Sequence, residues 1–323
     1  MAVGIRGLGS YVPPRVITNA EISAWTGAPE QWIVERTGIH ERRYAAEGQT
    51  TSDLAAPAAR QALGEARDGL EALIVATCTP DVPQPATAAI LQHKLGLRGV
   101  PAFDVNAVCA GFVFSLVIAG RMLAGRDHAS ALVIGADMFS VLMDHSDRRT
   151  VSLFGDGAGA VLLGDVPDGY GILASRLVTD GEHHEEVGVA AGGTRTPLDS
   201  AARAAGEHYF RMNGPMVRDY VITTLRKLVQ EVVDDCGLRL ADIDRFVVHQ
   251  ANSRMLEALA ADLGVDPERL PMTIERCGNT AGASVPLTLH RSHQARPLRR
   301  GDHVLVAAAG GGLCAGAAVI RWH

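Results

Sequence analysis

The feature that most constrains the fold is an internal repeat, present once in each half of the 323-residue chain. Each copy reads as a buried strand, a turn of small residues, an apolar helix, a second strand and a glycine-rich turn leading into a third strand. The matching parts are residues 73–77 and 245–249, 103–116 and 276–290, 129–136 and 303–308, and 154–163 and 310–320. Strands alternating with helices indicate parallel or mixed sheets covered by helices. The repeat therefore predicts two similar halves, residues 1–167 and 168–323, with a site at the seam between them.

The turn of the first repeat carries Cys109, at the start of an uncharged apolar segment that continues to Arg121. This segment predicts a buried helix, because it is apolar on nearly every face. A thiol at a helix N-terminus meets the positive end of the helix dipole and unpaired backbone N–H groups, which favour the thiolate. The small neighbours Ala107, Ala110 and Gly111 leave room for a substrate beside the sulfur. Cys109 is a candidate nucleophile, and the alternative is an ordinary core cysteine.

Composition argues against several classes of protein. The chain is 47% hydrophobic and 20% charged, which is typical of a soluble α/β protein. Its net charge is −6 without a long basic run, so neither a nucleic-acid nor a membrane partner is expected. The five scattered cysteines have no C-x-x-C pair, which indicates neither a disulfide framework nor a metal site. A signal peptide and a membrane-spanning segment are both absent from the pattern, so a cytoplasmic location is expected.

The second repeat carries two polar residues at matching places. His249 follows an apolar strand, and Asn279 lies between a glycine and a threonine. Each has an ordinary structural interpretation, a hydrogen-bonded core histidine and a turn asparagine. The repeat places both beyond strand ends or at the starts of buried helices, as it does Cys109. The three side chains are therefore expected to converge at the seam.

The remaining elements are predicted from helical spacing, capping residues and breakers. Predicted helices cover residues 19–25, 29–36, 51–67, 87–95 and 253–263. Thr51 or Ser52 is the expected N-cap of the third helix, and Asn252 that of the last. Residues 2–10 are predicted to form the first strand, and the proline-rich segment 80–85 a loop.

Six motifs in order along the chain resemble those of the ketosynthase III family, the β-ketoacyl-acyl-carrier-protein synthases III of the thiolase superfamily. They are WIVERTGI at 32–39, AFDV and CAGF between 102 and 112, FGDGAGA at 154–160, HQAN at 249–252, GNT at 278–280 and GGG at 310–312. The resemblance covers essentially the whole chain. It implies an α/β thiolase fold, in which a duplicated unit forms a five-layer αβαβα sandwich, and a homodimer.

The resemblance also implies an acyltransferase mechanism. Cys109 would attack an acyl-CoA thioester to form an acyl-enzyme, with the backbone N–H groups of Cys109 and Gly311 as oxyanion hole. His249 and Asn279 would donate hydrogen bonds to the thioester oxygen of a malonyl-carrier protein as CO2 leaves, and the resulting enolate would attack the acyl-cysteine. The expected partners are acyl-CoA and an acyl carrier protein, and no cofactor is expected.

Four residues match positions that bind CoA in the family. Trp32 and Arg148 would hold the adenine between them by stacking and a cation–π contact, and Arg36 would also contact CoA. Asn252 matches a residue near the pantetheine arm. Each has an alternative: a capping tryptophan, solvated arginines and a helix N-cap.

Three departures from the family pattern limit this transfer. Gln84 stands in the loop where an aromatic residue commonly reaches the partner subunit's acyl pocket, which favours an unusual starter and a natural-product pathway, such as a polyketide pathway. The segment after residue 214 lacks the usual basic residues for a carrier protein, which leaves Arg218 and Arg254 as docking candidates. The link 67–70 is shorter than usual, with an effect expected only at the surface.

Three other functions compete with condensation. Transfer of the acyl group to a hydroxyl or amine acceptor is favoured by Gln84, but the intact Asn279 favours condensation. Thiolase chemistry would need a second cysteine just before the last glycine-rich turn, where residues 307–309 are alanines and Cys314 comes later. A non-catalytic partner subunit would be expected to lack one of the three candidate catalytic residues. Condensation is the favoured interpretation.

Overall fold

The structure is a computed structural model that describes residues 1–66 and 69–323. In this part of the chain the strands, in order, are β1 (Ala2–Tyr11), β2 (Arg15–Thr18), β3 (Glu41–Tyr44), β4 (Leu70–Ala76), β5 (Ala102–Val105), β6 (Ser130–Met138), β7 (Asp156–Val166), β8 (Gly171–Thr179), β9 (Val187–Val189), β10 (Phe210–Met212), β11 (Arg245–Val248), β12 (His303–Gly310) and β13 (Cys314–Arg321). The helices are α1 (Asn19–Thr26), α2 (Glu30–Thr37), α3 (Thr51–Leu63), α4 (Thr87–Lys94), α5 (Gly111–Leu123), α6 (Arg148–Val151), α7 (Ser200–Ala204), α8 (Gly214–Asp234), α9 (Ser253–Leu263), α10 (Ile274–Cys277) and α11 (Ser284–Ala295).

Two sheets form the body of the molecule. The first has the strand order β1-β7-β6-β4-β5, and the second has the order β11-β12-β13-β8. Strand β4 is parallel to β5 and β6, and β11 is parallel to β12, whereas the other neighbours are antiparallel. The boundary expected at residues 167 and 168 falls between β7 of the first sheet and β8 of the second.

Helices cover both sheets and separate them. Helices α3 and α4 pack on the outer face of the first sheet, and α8 packs on the outer face of the second with α9 against it. Helices α5 and α11 lie between the sheets and contact strands of both. This is the five-layer αβαβα arrangement of the thiolase fold, as predicted. In the described chain no helix is both long and apolar enough to cross a membrane.

The two halves repeat one another strand for strand. Strands β4, β6, β7 and β1 of the first sheet correspond to β11, β12, β13 and β8 of the second, in order and in direction. Strand β5 forms an edge of the first sheet, and the second sheet has four strands. The duplication predicted from the repeat is therefore visible in both topology and register.

Several element boundaries differ from the predictions for physical reasons. The predicted turn 154–159 is largely strand, because β7 pairs with β1 as far as Tyr11 and Ala158. Its glycines serve close packing instead, because a Cβ on Gly159 would collide with the backbone nitrogen of Leu287. Helix α3 ends at Leu63 before Gly64, whose φ is 54°, rather than at residue 67. Residues 67 and 68, which include the start of the short link 67–70, lie outside the described residues.

Several features escaped the sequence analysis, strand β8 of the second sheet among them. Helix α8 was not predicted, although its buried residues follow helical spacing. These buried residues are Leu225, Leu228, Val229, Val232 and Val233. The N-cap of α3 is Thr50 rather than Thr51 or Ser52, since the Thr50 backbone N–H donates to Asp53 at 3.0 Å in a capping box.

Candidate active site

Cys109 lies in a short 3-10 turn, Val108–Ala110, between the edge strand β5 and the buried helix α5. The Asn106 side-chain oxygen accepts from the backbone N–H of Val108 at 3.2 Å, and Val108 has a positive φ of 46°. This local bond closes the turn, and α5 then begins at Gly111 and packs between the sheets, as its apolar sequence predicts. The side chain of Cys109 is thereby half-buried at the seam.

His249 follows β11 directly, as predicted, and is 5% exposed. Its backbone N–H donates to Ala307 at 2.8 Å, and its ring Nδ1 lies 2.6 Å from the hydroxyl of Ser284. Burial lowers the pKa of the imidazole to about 4, against a smaller opposing effect of the Ala281 backbone. The ring is therefore neutral at pH 7, and the Ser284 hydroxyl and the Ala281 backbone are its polar neighbours in the described chain.

Asn279 is fixed by a short ladder of backbone bonds. Its N–H donates to Leu153 at 2.8 Å, and its carbonyl accepts from Gly155 at 3.0 Å, which joins it to the segment before β7. The side-chain oxygen accepts from the Ala281 N–H at 2.9 Å. In the described chain no acceptor takes a hydrogen bond from Nδ2, so this amide nitrogen remains a donor for a ligand.

The structure brings the three candidate catalytic residues to one place. The turn Val108–Ala110, with Cys109, packs directly against the turn Ala281–Ala283, which connects Asn279 to α11. A Cβ on Gly282 would lie only 3.5 Å from the Val108 carbonyl oxygen. Within the repeat, Asn106 rather than Cys109 occupies the place of Asn279. In both turns the asparagine side chain accepts from the N–H two residues later, and that later residue, Val108 or Ala281, has a positive φ.

The glycine-rich turn after β12 closes over Cys109. A Cβ on Gly310 would lie 2.7 Å from the Cys109 backbone nitrogen, so the absence of a side chain is required there. The single S–H of Cys314 lies between two carbonyl oxygens that can accept from it, that of Gly311 at 3.0 Å from the sulfur and that of Ala107 at 3.1 Å. Gly311 is thus tied to the turn that carries Cys109. Sequence analysis singled out Gly311, whereas Gly310 makes the closest approach.

Asp137, which the sequence analysis missed, is a buried carboxylate at the end of β6. One of its oxygens accepts from the Thr77 and Thr79 hydroxyls at 3.1 and 3.0 Å and from the Cys78 N–H at 2.9 Å. The other accepts from the Gly282 N–H at 2.8 Å. Asp137 therefore joins the end of β4 to the turn of the second half. A lone carboxylate after an apolar strand was the available signal.

The electrostatics of Cys109 contradict one expectation. Burial raises the pKa of the thiol above its ordinary value, and the nearby Asp137 and Cys314 act in the same direction. The expected lowering of the pKa is therefore wrong, because loss of hydration on burial disfavours the thiolate. At pH 7 the pair consists of a protonated thiol and a neutral imidazole.

The candidate CoA-binding residues form a separate group near the surface. The Arg148 guanidinium lies over the Trp32 ring, 4.8 Å from its centroid. Asn252 caps α9 by accepting from the Arg254 N–H at 2.8 Å, and its amide nitrogen donates to the Arg36 carbonyl at 3.1 Å. The Arg148 guanidinium thus covers the face of the Trp32 ring, so an aromatic base could stack on Trp32 only after this side chain moved away, and the Arg36 side chain is exposed.

The other predicted contacts are exposed and differ in how they are bonded. Gln84 lies in the exposed loop before α4, and Arg218 lies in the first turns of α8. Arg254 donates to the Glu35 carbonyl at 3.0 Å and to Glu257 at 3.0 Å. Its guanidinium is therefore engaged at the C-terminal end of α2, which leaves Arg218 as the more available cation.

Two family profiles match the chain. Residues 103–181 match "3-Oxoacyl-[acyl-carrier-protein (ACP)] synthase III", and residues 233–322 match the C-terminal part of the same family. Together they include the turn with Cys109 and the segment with His249 and Asn279.

Individual relatives and solved structures agree with these matches. The acetoacetyl-CoA synthase NphT7 of a Streptomyces species is 45% identical, with 98% of each chain covered. The β-ketoacyl-[acyl carrier protein] synthase III of Thermus thermophilus superimposes with a TM-score of 0.91 at 39% identity, covering 99% of both chains. A priming β-ketosynthase from a polyketide pathway has a TM-score of 0.92 at 29% identity, covering 99% of this chain and 96% of the other.

Proposed function

This chain belongs to the 3-oxoacyl-[acyl-carrier-protein] synthase III family, and on that premise we propose that it joins an acyl group on Cys109 to a malonyl thioester with loss of CO2. One observation carries the proposal most directly. The turn that delivers Cys109 packs against the turn that positions Asn279, and His249 contacts Ser284 at the end of that second turn. A nucleophile and two uncharged hydrogen-bond donors are thus available at one seam.

In the proposed loading step the sulfur attacks the carbonyl carbon of an acyl-CoA. As the new C–S bond forms, the sulfur of CoA departs with the electrons of the old bond and takes up the proton that the Cys109 thiol loses, so that CoA leaves as a thiol. The backbone N–H groups of Cys109 and Gly311 are the proposed donors to the oxyanion. The close contact of Gly310 with the Cys109 nitrogen supports a site built from backbone atoms, since no side chain fits there.

In the proposed condensation step the malonyl thioester loses CO2, and the electron pair of the broken C–C bond forms an enolate. His249 Nε2 and Asn279 Nδ2 donate to the enolate oxygen, which stabilises the developing negative charge. The enolate carbon then attacks the acyl-cysteine and releases the Cys109 sulfur. The neutral imidazole suits this role, because it donates a hydrogen bond without needing to transfer a proton. The step calls for no cofactor beyond its thioester substrates.

The proposed CoA site and homodimer rest on surface features. Trp32 and Arg148 are the proposed binding site of the CoA adenine. Arg36 and Asn252 are proposed to contact the rest of the CoA molecule. Strand β5 at the edge of the first sheet has hydrogen-bonding groups available to a second copy of the chain. Gln84 lies in the loop before α4, which itself packs on β5, so it is the proposed contact with the partner's acyl pocket.

The malonyl donor has two candidate forms. The family name and the exposed Arg218 support a carrier protein, whose acidic surface would meet this cation. The engaged guanidinium of Arg254 and the acetoacetyl-CoA synthase relative favour malonyl-CoA as a second candidate. A cytoplasmic location is proposed with either donor, and the five free cysteines agree with a reducing compartment.

Intact-protein mass spectrometry tests the function directly. The protein is incubated with a panel of acyl-CoAs and then chased with malonyl-carrier protein or with malonyl-CoA. Condensation predicts an acyl adduct on Cys109 that clears with release of CO2 and a 3-oxoacyl thioester. An adduct that persists with both malonyl donors but clears with a hydroxyl or amine acceptor would instead establish the competing acyl transfer.

A further inference from the structure

Ser284, the first residue of α11, contacts the candidate catalytic histidine through the nitrogen that the proposed reaction does not use. We propose that Ser284 is a positioning residue whose hydroxyl donates to His249 Nδ1 and so fixes the tautomer with hydrogen on Nε2. The Oγ–Nδ1 distance is 2.6 Å, and both side chains are buried. This inference rests on the proposed condensation, in which His249 must be a hydrogen-bond donor.

The tautomer matters because a neutral imidazole has only one N–H. If the hydrogen were on Nδ1, Nε2 would present a lone pair to the enolate oxygen, and two electron-rich atoms would repel. If the hydrogen is on Nε2, the ring donates to that oxygen. The group bonded to the other nitrogen decides between these states.

The surroundings of Ser284 favour donation from its hydroxyl. A backbone N–H can only donate, and the N–H of Gln250 points to the Ser284 oxygen at 3.4 Å. This bond uses a lone pair of the oxygen and leaves the hydroxyl hydrogen for Nδ1. The Gln250 side chain is held in turn, since it donates to Val248 at 2.9 Å and accepts from the Thr273 N–H at 2.9 Å. The segment that presents the ring is therefore held by hydrogen bonds on both sides of Gln250.

The first half of the molecule shows that this turn can form without a serine. Gly111 occupies the place of Ser284 at the start of α5, and Thr77 the place of His249 after β4. A Cβ on Gly111 would already lie 3.2 Å from the Ala76 Cβ. The turn thus forms with glycine at this position in the first half, where the residue after the strand is not a histidine. We infer that the hydroxyl serves the chemistry of His249 rather than the fold of the turn.

The test compares Ser284→Ala with Ser115→Ala. Ser115 is a matched control, because it is a fully buried serine in α5 whose hydroxyl has no partner among the described residues. Each variant is loaded with an acyl-CoA and chased with a malonyl thioester. We expect Ser284→Ala to load Cys109 at nearly the normal rate but to clear the adduct about 10- to 100-fold more slowly, as when an outer partner that orients a histidine is removed. Ser115→Ala should match the unmodified protein in both steps.

A spectroscopic measurement tests the tautomer without relying on turnover. The 15N spectrum of histidine-labelled protein at pH 7 should show His249 with its hydrogen on Nε2, and Ser284→Ala should shift it towards a mixture of tautomers. Ser284→Cys, which keeps a weaker donor, should fall between the two. Hydrogen on Nδ1 in the unmodified protein would overturn the inference, as would an unchanged spectrum and clearance rate in Ser284→Ala. Failure of the condensation itself would appear separately, as an adduct that never clears in the unmodified protein.

Discussion

The two turns that deliver the reacting groups, residues 106–111 and 279–284, share one backbone and carry different chemistry. Each begins with an asparagine whose side chain accepts from the N–H two residues later, at 3.2 Å in the first and 2.9 Å in the second. Each then places a non-glycine residue at a positive φ, 46° for Val108 and 47° for Ala281. A short 3-10 turn and a central helix follow in both.

The difference lies at the next position of each turn. The first turn has Cys109 there, and the second has Gly282. A Cβ on Gly282 would lie 2.9 Å from Asp137 Oδ2, so the second turn has no room for a side chain while Asp137 holds its N–H. The asparagines differ as well, because Asn106 is exposed and Asn279 is 5% exposed. One duplicated unit thus supplies the nucleophile, and the other supplies donors and the space beside it.

The largest effect is expected from removing the nucleophile. Cys109→Ala should abolish the acyl adduct and all product formation, because no other described thiol lies at the start of a central helix. Cys236→Ala is the control, since Cys236 is a half-buried cysteine that follows α8 and donates to Val232. Mass spectrometry after incubation with acyl-CoA reads out both. An adduct that forms equally in Cys109→Ala would show that the first turn is not the acylated one.

The matching asparagines provide the next comparison. Asn279→Ala should slow condensation by about 100- to 1,000-fold, the range for removal of one donor from an oxyanion hole, while leaving acylation intact. Asn106→Ala removes the equivalent turn bond in the first half, and its activity should fall much less, because Asn106 is exposed and serves only to close its turn. Steady-state release of CO2 from a malonyl thioester measures both. Equal losses in the two variants would mean that the asparagines act only by closing their turns.

A third substitution disturbs the contact between the glycine-rich turn and Cys109. Gly310→Ala would place a Cβ 2.7 Å from the Cys109 nitrogen and 3.1 Å from that of Ala110. We expect acylation to slow by about 100-fold, as for a displacement on the order of 1 Å in an active site. Gly193→Ala, with no atom within 4 Å of the added Cβ, is the control. An unaffected acylation rate in Gly310→Ala would show that the close contact between Gly310 and the Cys109 nitrogen is not needed for acylation.

The smallest effect is a dependence of stability on pH that comes from His249. Burial lowers its pKa to about 4 in the folded protein, against about 6.5 in an unfolded chain. The unfolded chain therefore takes up the proton first, so stability is highest above pH 6.5 and falls by about 3 kcal/mol as the pH drops towards 4. His249→Gln should lack this loss. Urea unfolding at pH 7.5 and 4.5 measures the free energy of unfolding of both proteins. An equal loss of this free energy in the two proteins between these pH values would contradict a buried neutral imidazole.

The sequence was sufficient for the duplication, the five layers and the three residues at the seam, because strand–helix periodicity and the motifs around Cys109, His249 and Asn279 are local signals. It missed what depends on contacts between segments far apart. The bond of Asp137 to Gly282 and that of Ser284 to His249 join elements that only the fold brings together. The pKa of Cys109 is a second example, since a local helix argument predicted a decrease and burial by the opposite half produces an increase.

One experiment tests the division of labour between the two turns most directly. The His249→Ala variant is loaded with the acyl-CoA that the unmodified protein accepts, and the adduct on Cys109 is followed by intact-protein mass spectrometry during a malonyl-thioester chase. The account predicts that the variant acquires the adduct and retains it, whereas the unmodified protein clears it with release of CO2. Clearance at the normal rate in the variant would contradict the assignment of donors to the second half.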